Sequence, residues 1–323
     1  MRLQHLLAQC KEQLLPICRH EVLAEQEAWW MLEQLTGKKQ AELLMSDTID
    51  LTNEQQEQLN SWLTQRVKER KPLQYILGSV PFCNLDILVQ PPILIPRPET
   101  EEWVSWLITQ LQPVASQPLS ILDLCSGSGC IALALAKALP QATVVGIDKN
   151  PVAIALSEKN KEHNKITNVT FMAGDVFDLP ARRSLGGGGS GPSTPFVRPL
   201  VPRSDAIASR GMEDRRYDLI VSNPPYLSEE EWYSLDESVR AWEDYDALVA
   251  NQQGYAFYDA LLSNACKYLK QNSIIRAHDI PQVVFEIGIA QQSIESWLTK
   301  FNFSKYTVYR DLEGVKRWVS VQV

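Results

Sequence analysis

The chain has 323 residues, 45% of them hydrophobic, and 31 Lys and Arg against 39 Asp and Glu give a net charge of -8. That length suits one large domain with a smaller companion, and the acidic balance argues against a nonspecific nucleic-acid binder, which carries a basic field. The six cysteines are scattered with no CxxC pair, so reduced thiols are expected and a metal site is not.

Polar Gln4, His5 and Gln9 interrupt any apolar leader, and Glu12, Glu21, Glu25 and Glu27 are foreign to a transit peptide. No apolar run approaches the roughly 18 residues of a membrane span. A cytoplasmic, monomeric protein is the expectation.

Residues 1–71 read as a small helical bundle. Leu3, Leu6, Leu7, Cys10, Leu14 and Leu15 recur at helical spacing. Glu25 to Leu35 continues the pattern with Trp29, Trp30 and Met31, aromatics that read as core. Thr52 starts a further helix with Leu59, Trp62, Leu63 and Val67 on one face. Residues 72–98 are proline-rich. Tyr75-Ile76-Leu77-Gly78 and Leu85 to Val89 suggest a hairpin connector there.

A helix is expected near residues 101–111, and from Leu119 onward strands and helices alternate. Strands are expected at Leu119–Leu124, Thr143–Ile147, Val169–Met172, Tyr217–Ser222 and Val283–Ile287, with two more at Tyr306–Arg310 and Arg317–Val321. Helices are expected at Ile131–Leu139, Pro151–His163 and Gly254–Leu269. This is an α/β pattern: a doubly wound parallel sheet closed by an antiparallel hairpin, filling residues 99–323. Residues 181–215 break it. Their Gly186 to Gly191 run, four prolines and six arginines read as a disordered insertion.

Polar residues cluster where strands end, which is where such sheets bind ligands. Asp123 to Gly129 follows one strand and opens a helix, and its glycines permit a tight turn close to a ligand. Asp148 ends the next strand, positioned to accept from ribose hydroxyls, and Asp175 ends the third. Together they point to an adenosine-containing ligand.

Asn223-Pro224-Pro225-Tyr226 ends the fourth strand. Two prolines make a rigid turn with no N–H to donate. The Asn223 side-chain oxygen and the Pro224 carbonyl can each accept one hydrogen of a planar NH2 group. That grip orients the nitrogen and favours charge developing on it, and Tyr226 can pack on the planar group. The chemistry indicated is methyl transfer to an amide or amine nitrogen.

With these motifs the chain resembles the PrmC/HemK family of protein-(glutamine-N5) methyltransferases. The matching stretches are Pro72 to Gly78, Ile95 to Glu101, Ile121 to Gly129, Gly146 to Asp148, Gly174-Asp175, Val221 to Tyr226, Glu286 to Gly288 and Arg310 to Leu312. The resemblance implies a Rossmann-like class I methyltransferase sheet behind a helical substrate-docking domain. It implies S-adenosylmethionine as cofactor and class-1 peptide chain release factors as partners, methylated on the glutamine of their Gly-Gly-Gln motif. It places the cofactor against Cys125, Ser126, Gly127, Ser128, Gly129, Asp148, Asp175, Val176 and Asn223. Asn223, Pro224 and Tyr226 become the catalytic set. Substrate would meet Asn223, Pro224, Pro225, Tyr226 and Arg97, the last lying with Glu99 in a loop over the site. Besides the insertion at 181–215, three features depart from the family pattern. Cys125 stands where glycine is common, Lys270 to Ser273 replaces a Pro-Gly-Gly turn, and Ile274 to Pro281 looks inserted. The tetrapeptide alone is shared with adenine-N6 methyltransferases, the alternative reading. The acidic charge and the lack of an obvious target-recognition domain weigh against it. A noncatalytic adenosine-binding module is the third.

Overall fold

The computed structural model describes residues 2–175, 216–311 and 313–323. The expected insertion at 181–215 and Val176 lie outside the described residues.

The N-terminal helices are α1 (Leu3–Cys18), α2 (Glu21–Thr36), α3 (Gln40–Leu44) and α4 (Asn53–Lys68). Two of them carry clear end signals. At the start of α4, Thr52 Oγ1 accepts from the Gln55 N–H and Gln55 Oε1 accepts from the Thr52 N–H, at 3.2 and 3.0 Å. This capping box satisfies two otherwise orphaned donors. Gly37 ends α2 in the left-handed region at φ 70°. Leu7, Leu14, Trp29, Met31, Leu32, Leu59 and Leu63 meet in one core. Trp29 is buried as expected, whereas Trp30 is 40% exposed. Arg66 Nε and one of its terminal nitrogens donate to the two Glu27 oxygens, both at 2.8 Å, tying α4 to α2.

The connector differs from expectation by half a hairpin. Residues 73–77 form a helical turn, α5 (Leu73–Leu77), capped by Gly78 at φ 89°. The hairpin strands are β1 (Ser79–Phe82) and β2 (Leu85–Leu88). A run of apolar residues carries no period that separates a short strand from one helical turn; Pro72 before it and Gly78 after it decide the matter. The Tyr75 hydroxyl then donates to the Ile93 carbonyl at 2.6 Å, anchoring the segment that leads to α6 (Pro98–Leu111).

Beyond α6 come β3 (Ser120–Leu124), α7 (Cys130–Ala138), β4 (Thr143–Asp148), α8 (Pro151–His163), β5 (Val169–Ala173) and β6 (Leu219–Ser222). Three short helices follow, α9 (Glu229–Ser234), α10 (Glu237–Trp242) and α11 (Tyr245–Leu248), which periodicity did not reveal. Then come α12 (Ala256–Tyr268), α13 (Ile274–Ala277), β7 (Val283–Glu286), α14 (Ile294–Lys300), β8 (Lys305–Arg310) and β9 (Lys316–Gln322). Seven strands form one sheet in the order β5-β4-β3-β6-β7-β9-β8. The first five run parallel, and β9 is antiparallel to both β7 and β8. This is the expected doubly wound sheet with its closing hairpin. Apolar cores pack against both faces, as continuous apolar strands such as β6 require. Among the described residues no helix is long and apolar enough to cross a membrane.

Candidate active site

The strand order reverses between β3 and β6, and a crevice opens at that switch point. Leu124 and Ser222 are paired there, and the buried Ser222 hydroxyl donates to the Leu124 carbonyl at 2.7 Å.

Past β3 the backbone turns through left-handed conformations at Cys125 (φ 59°), Gly127 (φ 55°) and Gly129 (φ 83°). Cys125 therefore occupies a conformation that costs a residue with a Cβ about 1–2 kcal/mol, the physical reason glycine suits this position. Gly129 is fixed twice over, since a Cβ there would lie 2.7 Å from the Phe171 ring. Ser128 is buried, and its carbonyl accepts from Asn160 Nδ2 at 3.0 Å. The same Asn160 amide bonds both the N–H and the carbonyl of Leu88, so the hairpin braces the loop.

Asp148 Oδ2 accepts from the Gly127 N–H and Oδ1 from the Asn150 N–H, both at 2.8 Å. Each oxygen keeps a lone pair for a further donor. Burial pushes this carboxyl above its ordinary range, and the two N–H bonds oppose that.

A cavity of about 780 Å³, counting its open mouth, lies over these strand ends. Cys125, Gly127, Asp148 and Asp175, four of the nine predicted cofactor residues, line it together with Pro225 of the predicted substrate set, whereas Ser126, Ser128, Gly129 and Asn223 do not. Its other wall is Ile93, Leu94 and the Asp244 to Ala247 segment, which sequence reasoning missed. The Asp244 N–H donates to the Pro92 carbonyl at 2.8 Å, Asn150 Nδ2 donates to Asp244 Oδ2 at 3.1 Å, and Lys149 pairs with Asp246 at 2.9 Å. An apolar wall for a flat base and a carboxylate for a diol fit an adenosine-type ligand.

Asn223 lies at the end of β6. Its Nδ2 donates to Thr100 Oγ1 at 3.0 Å. Thr100 Oγ1 donates to Glu286 Oε2 at 2.6 Å, the Trp103 indole N–H donates to the same oxygen at 2.9 Å, and the Tyr226 hydroxyl donates to Glu286 Oε1 at 3.3 Å. Glu286 is 2% exposed. Burial raises its carboxyl, and the Thr100, Trp103 and Tyr226 hydrogen bonds pull it back. The Tyr226 backbone is pinned as well: its N–H donates to the Leu248 carbonyl at 3.1 Å, and its carbonyl accepts from Gln291 Nε2 at 2.9 Å.

Arg97 is the residue before α6 rather than part of a free loop, and one of its terminal nitrogens donates to both oxygens of Glu243, at 2.8 and 2.7 Å. Glu99 sits in the first turn of α6 instead of a loop, 4.0 Å from Arg317. Thr100, Trp103, Glu243 and Glu286 carried no individual signal in the sequence. Thr100 and Glu286 fall in stretches that match the family, which is the one cue that could have found them.

A twisted parallel sheet with a glycine loop after its first strand and an Asn-Pro-Pro-Tyr turn at the switch point defines a methyltransferase domain. Family models agree: one described as a methyltransferase domain matches residues 116–184, and one described as a PrmC N-terminal domain matches residues 5–78. Release factor glutamine methyltransferase from Thermodesulfovibrio yellowstonii is 31% identical over 86% of this chain and 86% of its own. Those from Flavobacterium psychrophilum and Geobacter sulfurreducens are 33% and 32% identical, over 90% and 93% of this chain and 89% and 90% of theirs. The chain belongs to the release factor glutamine methyltransferase family.

Proposed function

We propose that the chain transfers a methyl group from S-adenosylmethionine to the side-chain amide nitrogen of the glutamine in the Gly-Gly-Gln motif of class-1 peptide chain release factors, in the cytoplasm. The observation that carries this reading is that the Asn-Pro-Pro-Tyr turn reaches the cavity at Pro225, with Asn223 Nδ2 already committed to Thr100. Its Oδ1 is then the end left to accept.

Cys125 to Gly129, Asp148, Asp175 and Asn223 would hold the cofactor, which supplies a sulfonium methyl when bound. The amide nitrogen of glutamine is a poor nucleophile because its lone pair is delocalised into the carbonyl. Asn223 Oδ1 and the Pro224 carbonyl each accept one of its hydrogens, so positive charge developing on that nitrogen meets two oriented acceptors. Tyr226 packs on the flat amide. The surplus proton leaves nitrogen after transfer, so no general base is needed in advance. The N-terminal helices supply the second surface that a whole protein substrate meets.

Full-length enzyme with S-adenosylmethionine is expected to add one methyl to the glutamine of a Gly-Gly-Gln peptide, read by mass spectrometry. Asn223→Ala should lower kcat by roughly 100-fold, the cost of removing one oriented hydrogen-bonding group, with cofactor affinity changed much less. Intact release factor should show a higher kcat/KM than the peptide; equal values would remove the docking role of the helices. Methylation of DNA in place of the peptide would overturn the substrate.

A further inference from the structure

Asn223 carries an ambiguous side chain. Its amide presents an acceptor at one end and donors at the other, and the two are nearly the same size. Only one orientation serves an NH2 substrate, and the turn that holds Asn223 does not select it. The selection must come from whatever the other end of the amide touches, and that is the Thr100 hydroxyl.

A threonine hydroxyl could donate or accept, so it selects nothing by itself. Its single proton has to be committed elsewhere. Glu286 Oε2 lies 2.6 Å from Thr100 Oγ1 and also accepts from the Trp103 indole, a group that can only donate. The carboxylate takes the Thr100 proton. Thr100 is then left with lone pairs alone toward Asn223, and only the Nδ2 end can satisfy them. The direction runs without a break: Asn223 donates to Thr100, Thr100 donates to Glu286, and Asn223 Oδ1 is the end of the amide left to accept. Thr100 is 1% exposed, which limits the access of water to its hydroxyl.

We infer that Thr100, aimed by Glu286, is a positioning residue that fixes which end of the Asn223 amide meets the substrate. This rests on the proposed glutamine methylation. It also gives a purpose to two stretches, Ile95 to Glu101 and Glu286 to Gly288, that touch neither the glycine loop nor the tetrapeptide in sequence.

The test compares full-length wild type, Thr100→Val and Thr100→Ser on a Gly-Gly-Gln peptide with S-adenosylmethionine. Valine keeps the shape and removes the hydroxyl; serine keeps the hydroxyl. Thr100→Val is expected to lower kcat by about 10- to 100-fold, with peptide KM and cofactor Kd within about threefold of wild type. Thr100→Ser is expected to recover kcat to within about threefold. Glu286→Gln is expected to retain more activity than Thr100→Val, because its amide oxygen can turn toward Trp103 and Thr100 and keep the same direction. Full activity in Thr100→Val, or a loss that serine does not restore, overturns the inference while leaving the methylation reading intact. A loss shared equally by cofactor affinity and Tm also overturns it, since that is what a merely structural contact would give. A wild-type enzyme that methylates no peptide overturns both.

Discussion

Tyr226 owes its position to two glycines that sequence motifs did not connect with it. At Gly288 an added Cβ would lie 2.6 Å from the Tyr226 ring and 2.5 Å from Gln291 Oε1; at Gly254 it would lie 2.0 Å from the Tyr226 carbonyl oxygen. Gln291 can swing its flexible end aside, but the Tyr226 ring and carbonyl can yield only by leaving their places. Gly254 is further restricted by φ 84°, which L side chains seldom adopt. Gly288→Ala is therefore expected to push the ring off its place. We expect roughly a 10- to 100-fold loss of kcat with cofactor Kd nearly unchanged, measured by single-turnover methylation and calorimetry. Unaltered kcat would show that the ring's position does not matter. Asp148 works the other way: its carboxylate is set by backbone N–H groups from its own strand end and the glycine loop, so its role could be read from local sequence.

Between elements, Asp218 at the base of β6 explains how the chain tolerates its departure from the family pattern. Its Oδ2 accepts from the Ser120 N–H at 2.8 Å and from Lys270 Nζ at 2.6 Å, and its Oδ1 accepts from the Ser273 hydroxyl at 2.8 Å. Lys270 and Ser273 stand where the family resemblance leads one to expect a Pro-Gly-Gly turn, and in this chain both are held by the buried Asp218 carboxylate. The stretch that looked inserted continues as α13, whose Ile275 is fully buried in the core. Asp218→Ala leaves a strand-end N–H and an ammonium without their partner. A loss of roughly 2–3 kcal/mol is expected, less than for a fully buried pair because Lys270 is 35% exposed. Urea unfolding should show a lower midpoint at an unchanged slope; an unmoved midpoint would assign the turn's stability to α13 alone.

At the scale of the whole molecule, the Arg97–Glu243 pair joins the start of α6 to the segment that walls the cavity over the strand ends, bridging 146 positions of sequence. Glu243 is buried, and burial pushes its carboxyl up against the opposing pull of the Arg97 guanidinium. The next residue, Asp244, lines the cavity and bonds Pro92 and Asn150. Glu243→Gln gives up the charge-assisted pair. A cost of about 1–3 kcal/mol is expected, seen as a lower Tm together with weaker S-adenosylmethionine binding by calorimetry. A lower Tm with unchanged affinity would separate the pair from the cavity wall.

The amino-acid sequence by itself determined the alternation of strands and helices, the closing hairpin, the glycine loop, the acids at successive strand ends and the Asn-Pro-Pro-Tyr turn. These are local: apolar period, proline and glycine conformations, and a polar residue just past an apolar strand. The short helices α9 to α11 were not legible from period, because four to six residues hold too little of it; the Ser228 to Glu231 capping box of α9 was a local signal that could have been read. Tyr75 to Leu77 misread as strand for the same reason. Only the tertiary structure decided that Thr100, Asn223 and Glu286, up to 186 residues apart, share one hydrogen-bonded line. A hydroxyl, an amide and a carboxylate have no pattern along the chain; their relation exists only once the sheet brings β6 and β7 together beneath α6.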